Sequence, residues 1–339
     1  MTWTRQALAD APVEIIDGDR GKKYPTQNEL LDDGHCLFLS ATNVTKDGFA
    51  FDKCQFITEQ KDNALRKGRV QRYDVVLTTR GTLGNVAYYS ETVPFENVRI
   101  NSGMVTIQAD SNKLLSLYLY YFVKSELFQA QVRSLQSGAA QPQLPIRDIK
   151  KIKISYPDPT TQEKIADTLA VYDDLIENNR RRIVLLEEAA RLLYREWFVH
   201  FRFPGHEHVK IIDGVPEGWV QKTFADVCET IGGGTPSTKV PEYWNDAVVT
   251  WITPTDITRN NCLAILDGEK KISQAGLKKS SAKLVPPYTI LMTSRASVGF
   301  FGLIDREVCT NQGFINIIPS EEVLRYYLLF NLSVQPETN

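Results

Sequence analysis

The sequence holds little that favours metal or covalent chemistry. Its five cysteines (Cys36, Cys54, Cys228, Cys262, Cys309) are odd in number, far apart and never arranged as Cys-x-x-Cys. That excludes the usual zinc spacing and makes a disulfide framework a poor reading of so long a chain. Histidine is scarce, with four in all, and His206-Glu207-His208 follows Pro204-Gly205 in a stretch that reads as a solvated linker rather than a chelate. Charge of one sign is also lacking: 39 Lys and Arg against 41 Asp and Glu leave a net −2. Bulk charge therefore recruits neither nucleic acid nor anionic membrane, and any polyanion site must come from local clustering. No stretch approaches the ~18 apolar residues of a membrane span, and the start has no apolar core of signal-peptide length. The expectation is a soluble, cytoplasmic protein with no membrane partner. With 42% hydrophobic and 24% charged residues, 339 positions read as globular and as about two domains.

What is present is a repeat. Trp3-x4-Leu8-Ala-Asp10 returns as Trp219-x4-Phe224-Ala-Asp226, and Leu39-Ser-Ala-Thr-Asn43-Val-Thr45 as Ile252-Thr-Pro-Thr-Asp256-Ile-Thr258. Tyr73-Asp-Val-Val-Leu-Thr-Thr-Arg80-Gly-Thr-Leu-Gly84 returns as Tyr288-Thr-Ile-Leu-Met-Thr-Ser-Arg295-Ala-Ser-Val-Gly299. Asn101-Ser-Gly103 returns as Asn311-Gln-Gly313, and Ser111-x2-Leu114-x2-Leu117 as Ser320-x2-Val323-x2-Tyr326. The five blocks keep their order at offsets of 209 to 216 residues, a drift that loop insertions produce. Two homologous domains follow, the second incomplete: at a period of ~216 it falls roughly 80 residues short.

Within each copy, β-branched runs (Asp74–Thr79, Met104–Ile107, Ile290–Ser294) separated by Gly, Asn and Pro read as strands, and Leu114–Phe128 as a helix. The fold class is therefore α+β, with mixed or antiparallel sheets. Between the copies, Thr160-x-x-Glu163 has the form of a capping box. From there Ile165, Leu169, Tyr172, Ile176, Asn179, Ile183, Leu186, Ala190, Leu193 and Trp197 alternate steps of four and three. That 3.5-residue period is the seam of a coiled coil, over a helix of ~57 Å from Gln162 to Val199 at 1.5 Å per residue. A polar Asn179 in the seam would fix register and partner number. The expected organisation is a first recognition domain at 1–156, a spacer helix at 157–203, a linker at 204–217 and a second domain at 218–339.

Each copy gathers positive charge just before its Tyr-x-[Val/Ile] strand: Lys61, Arg66, Lys67, Arg69 and Arg72 in the first, Lys270, Lys271, Lys278, Lys279 and Lys283 in the second. Such clusters suit phosphate contacts. Arg80 and Arg295 have the donors to grip guanine, Asn43, Asn101 and Asn311 the donor and acceptor to grip adenine, and Asp256 could accept from cytosine. Against this stand internal salt bridges for the arginines and plain turns for Asn101-x-Gly103 and Asn311-x-Gly313. Gly232-Gly-Gly234, opposite Ile16-Asp17-Gly18, reads as a turn, with no Lys-Ser/Thr behind it. Val285-Pro-Pro-Tyr288 imitates an amino-methyltransferase loop, yet Val285 cannot hydrogen-bond an amine. Asp256 with Glu269 and Lys271 imitates an Mg²⁺-dependent nuclease, the alternative from a different class; a coiled-coil scaffold that binds no DNA is the other.

Taken in order, Gly138-x-x-Gln141-x-x-Leu144, Ile152-x-Ile154-x-x-Pro157 with Gln162, Ala189-Ala-Arg191 with Trp197-Phe198, Gly218-Trp219, Gly234-Thr-Pro236 and Asn311-Gln-Gly313 resemble the specificity subunit of type I restriction–modification systems. The resemblance spans essentially the whole chain. It implies a non-catalytic DNA reader whose two domains each take one half of a split site in double-stranded DNA. The helices between them would act as a ruler and dock two methyltransferase subunits acting on adenine N6, with a restriction subunit joining for cleavage. It implies no cofactor on this chain: S-adenosylmethionine, and ATP with Mg²⁺ for restriction, belong to the partners. A family member carries a second heptad helix antiparallel to the first. With none here, the open seam leads to the expectation of a truncated chain or of self-association through the helix.

Overall fold

The computed structural model describes residues 3–138, 142–260, 262–295 and 297–334. It divides into two compact units, Met1–Leu175 and Ile176–Asn339. The boundary falls inside the long helix, so the segment 157–203 expected as a spacer is shared between them.

In the first unit, Val13–Asp17, Met104–Ala109, Val75–Thr78 and Val86–Tyr88 form an antiparallel sheet in that order. A second sheet sets Cys36–Leu39 between antiparallel Phe56–Ile57 and parallel Val98–Ile100. The runs Val75–Thr78 and Met104–Ile107 are buried throughout, so both faces of the first sheet are covered. One face meets helices Ser116–Lys124 and Glu126–Leu135 in a core built on Leu8, Phe128, Ile152 and Ile154. The single helix expected over Leu114–Phe128 breaks at Ser125, whose backbone is extended (ψ 153°) and whose hydroxyl donates to Phe122 O at 2.6 Å. Beneath the helices, Lys153–Tyr156 pairs antiparallel with Thr4–Ala7.

The second unit repeats the order of these two main sheets, its second sheet gaining a fourth strand, Leu284–Val285. Cys228–Gly232, Phe314–Pro319, Ile290–Thr293 and Phe301–Leu303 form the antiparallel sheet. Val249–Ile252 lies antiparallel to Lys270–Ile272 and parallel to Val308–Thr310. Register agrees as well: Met104 faces Thr78 in one unit, Phe314 faces Thr293 in the other. Even strain is repeated, since Tyr73 (φ 73°) and Tyr288 (φ 62°) hold the same left-handed turn ahead of equivalent strands. Val285-Pro-Pro-Tyr288 is thus a turn leading into a strand.

The long helix runs Pro159–Tyr194 and continues as a π-helical turn, Arg195–Val199, where His200 N donates to Arg195 O at 2.9 Å. Asp158, one position ahead of the helix, caps it. Its carboxylate accepts from Thr161 N (3.1 Å) and Thr161 Oγ1 (2.8 Å), and these bonds hold its pKa below the ordinary value. The Thr160/Glu163 box expected from sequence therefore lies two positions too far in. Gln162 is buried instead and clamps the helix start, accepting from Leu115 N at 2.8 Å and donating to Lys113 O and Pro157 O. No helix among the described residues is long and apolar enough to cross a membrane.

Candidate nucleic-acid interface

In each unit the repeated motifs converge where the paired parallel strands end. In the first, Thr79 N and Arg80 N donate to Gly103 O (2.7 and 3.2 Å), and Thr82 Oγ1 donates to Ala41 O at 3.2 Å. In the second, Ser294 N donates to Gly313 O (2.7 Å) and Asn311 N to Ile252 O (3.0 Å). The glycine turn closes the same end. A Cβ on Gly18 would lie 2.0 Å from Asn101 O, and one on Gly233 1.9 Å from Asn311 O. Only glycine allows this approach, and it pairs Gly18 with Gly233 rather than with Gly234.

Around the Asn101 turn, the Asp19 carboxylate accepts from Gly21 N (2.6 Å) and Arg66 N (2.7 Å). These bonds, that of Gly21 foremost, hold its pKa below the usual range. The loop thus presents Arg66 and Lys67, both exposed and without a side-chain hydrogen bond among the described residues, Arg66 also acting by its charge on Asp19, while Arg20 reaches Ser102 O at 3.2 Å. Arg80 is likewise unpartnered and half-buried. In the second unit Lys270, Lys278, Lys283 and Arg295 are exposed and unpartnered among the described residues. Ser281, between Lys278 and Lys283, abuts Gly234 in the equivalent glycine turn. Asn101 and Asn311 each accept from the N–H two residues on at 2.8 Å, closing a turn with Oδ1 and leaving Nδ2 without a partner among the described residues.

Other expected contacts are engaged inside the fold. Asn43 is buried: its Oδ1 accepts from Ser40, and its Nδ2 donates to Ala50 O (3.0 Å) and Lys53 O (2.8 Å). Asp256, its repeat partner, accepts from Thr253 N (2.7 Å), Thr253 Oγ1 (2.6 Å) and Glu269 N (2.9 Å). Both cap a short helix, and neither offers a base-reading edge. Arg72 donates to Ser90 O, Val93 O and Phe95 O and lies 4.2 Å from the Tyr89 ring centroid, so it clamps a loop. Lys61 pairs with Glu29 at 2.6 Å and pulls that carboxyl's pKa down to about 2. Arg69 pairs with buried Asp62, Lys271 with Asp267 (3.4 Å) and Lys279 with Glu242 (3.2 Å). A run of cations in sequence does not disclose which of them face an internal carboxylate.

The nuclease constellation also comes apart. Glu269 pairs with Arg259 at 3.1 Å, and among the described residues no three His, Cys, Asp or Glu side chains are grouped to hold a metal.

The helix supplies the second feature. Its first turns join the first unit's core through Ile165 and Ala166. Its last turns join the second unit, where Asn331 Nδ2 donates to Tyr194 OH at 2.8 Å and Phe198 lies 4.9 Å from Tyr327. Between them the seam is open: Leu169, Tyr172, Ile176, Ile183, Leu186 and Leu193 are all exposed, as is Asn179. A flanking stripe (Val171, Leu175, Leu185, Leu192), not read from the sequence, is exposed too and widens the apolar surface beyond one two-helix seam. Within the second unit, Leu186, Ala190, Leu193 and Trp197 line a cavity of about 690 Å³ with Val323 and Tyr326.

A duplicated α+β unit with a shared polar, cationic loop end and a long helix bearing an exposed apolar stripe defines a recognition module rather than an enzyme pocket. Residues 13–188 and 216–338 match the type I restriction modification DNA specificity domain, and the chain belongs to that family. It is 38% identical over 134 residues to the type I restriction enzyme MjaIX specificity subunit of Methanocaldococcus jannaschii, covering 40% of this chain and 31% of that protein. It is 24% identical to the HindI specificity subunit of Haemophilus influenzae over 97% of this chain and 82% of that one. The crystal structure of the type I restriction–modification S subunit from M. genitalium has the same fold, with a TM-score of 0.52, 15% identity and coverage of 97% of this chain and 75% of that one. Gln141, part of the motif resemblance, lies outside the described residues.

Proposed function

We propose that this chain is the non-catalytic DNA-reading subunit of a type I restriction–modification complex, directing adenine-N6 methylation and restriction to a bipartite site. The observation that carries this reading is the duplicated loop end. In both units the same motifs bring an arginine, together with an asparagine Nδ2 and cations that have no partner among the described residues, to the rim of equivalent sheets. Arg66, Lys67, Lys270, Lys278 and Lys283 supply phosphate contacts; Arg80, Arg295, Asn101 and Asn311 read base edges. The open seam and its flanking stripe are the docking surface for two methyltransferase subunits, which carry S-adenosylmethionine. A restriction subunit using ATP and Mg²⁺ joins them. The helix sets the spacing of the half-sites. The exposed seam is also a surface on which another helix, that of a second copy of this chain included, can pack.

The test is the salt dependence of DNA binding. Each phosphate contact adds about 0.9 to the slope of log affinity on log salt. Arg66→Ala/Lys67→Ala should lower that slope by about 2 and weaken binding to all sequences alike. Arg72→Ala, which removes a loop clamp, should leave it unchanged. An unaltered slope in the double variant would reject the assigned surface and favour the scaffold reading.

A further inference from the structure

Two readers with identical rims read the same half-site twice. Arg80 and Arg295, like Asn101 and Asn311, are the same residue at equivalent positions, so each pair offers both half-sites the same donors and acceptors. A difference between the halves has to come from rim positions that the register makes equivalent and the sequence makes different. Val105 faces Asp17 in the first unit, and Ile315 faces Gly232 in the second. That alignment sets Asp17, Arg20 and Ser102 against Gly232, Thr235 and Gln312. In the first unit Arg20 is exposed on the glycine turn. Its Nη2 donates to Asp17 Oδ1 and to Ser102 O, both at 3.2 Å, and the N–H groups of Nε and Nη1 have no partner among the described residues. Ser102, in the Asn-x-Gly turn, is half-buried, and its N donates to Tyr24 OH at 3.4 Å. In the second unit the roles are exchanged. Gln312, in the Asn-x-Gly turn, is exposed, and half-buried Thr235, on the glycine turn, donates its hydroxyl to Gln312 Oε1. The carboxamide keeps one oxygen lone pair, and its Nε2 has no partner among the described residues. Each rim thus exposes one long, braced, planar polar side chain, and the shorter residue on the opposite turn holds it.

We propose that Arg20 and Gln312 are the specificity-determining residues that make the two half-sites different, Arg20 taking a guanine and Gln312 an adenine. The inference rests on the DNA-reading role proposed above. The remaining N–H groups of the Arg20 guanidinium form a fork of parallel donors that matches guanine O6 and N7. The Gln312 carboxamide offers an acceptor beside a donor, which matches adenine N6 and N7. Asp17 and Thr235 are positioning residues: each holds its planar partner in place before DNA arrives, so less rotamer freedom is lost on binding. Gly232 stands where Asp17 does because the second unit has no guanidinium there to orient.

The test maps N6-methyladenine in the genome of a host that expresses the full chain with a type I modification subunit. Asp17→Gly/Arg20→Thr/Ser102→Gln gives the first unit the second unit's set and should change one base pair, from G·C to A·T, in one half of the motif only. Gly232→Asp/Thr235→Arg/Gln312→Ser should make the reverse change in the other half only. Two milder variants guard against a failure to fold. Arg20→Lys keeps the charge without the fork, and Gln312→Glu removes the donor. Each should lower discrimination at a single base pair by about tenfold or more and leave the opposite half as before. A motif that all four variants leave unchanged, or a change in both halves at once, would overturn the proposal. So would loss of all methylation in every one of the four, because these residues would then brace turns rather than read bases. A parent chain that yields no two-part motif sinks the DNA-reading role itself, whereas a two-part motif insensitive to the four variants sinks this inference alone.

Discussion

The two units solve one packing problem in opposite ways. At the start of the short helix Glu59–Ala64, Asp62 is fully buried and faces Arg99 and Arg69, with Arg99 also donating to Lys67 O (2.6 Å) and Asp62 O (2.8 Å). In the second unit the equivalent positions are Leu277, Leu284 and Cys309, and Leu277 and Cys309 pack with Trp251 and Ile272. The bridging pair is conserved in geometry although its chemistry is inverted: Arg69 faces Arg99 antiparallel, and Leu284 faces Cys309. A buried ion pair in one unit and an apolar contact in the other thus fill the same position, as the balance of desolvation against Coulomb energy allows.

That equivalence can be broken at one residue. Arg99→Leu removes the buried partner of Asp62, leaving that carboxylate to the half-exposed Arg69, and should destabilise the first unit by up to about 3–5 kcal/mol in urea unfolding. Introducing the second unit's set at once, Asp62→Leu/Arg69→Leu/Arg99→Cys, should recover most of that loss. Failure to recover would mean that the two units are packed by different rules. A smaller effect tests the sameness of the loop ends. Gly18→Ala and Gly233→Ala each drive a methyl into a backbone carbonyl and should cost about 1–3 kcal/mol apiece. A clear loss at only one of them would separate the two turns. Smallest is Asp158→Ala, which removes the helix cap. Because the folded-state pKa of Asp158 lies below the ordinary aspartate value, the cap's contribution is present above that value and fades as pH falls through the folded pKa. The gap between variant and parent in thermal melts should therefore close on acidification.

The repeat, the strands and the heptad were legible because each is a period, and a period survives without coordinates. Arg80 and Arg295 were legible as loop residues for the same reason. The roles of Asn43, Asp256 and Arg72 were not, because burial is decided by residues far away in sequence: Asn43 by Lys53, Arg72 by Phe95. Gln162 was visible as a motif letter, yet its clamp on Lys113 and Leu115 depends on a contact 49 residues distant. The cap of the long helix was misplaced because Thr160 and Glu163 satisfy the pattern while Asp158 satisfies the geometry.

The central proposal, two equivalent readers spaced by one helix, is tested most directly by mapping N6-methyladenine in a genome that expresses this chain with a type I modification subunit, before and after seven residues are inserted between Asn178 and Asn179. The account predicts a two-part motif whose half-sites are unchanged by the insertion and whose gap alone shifts. A contiguous motif, or a gap that ignores the insertion, would contradict it.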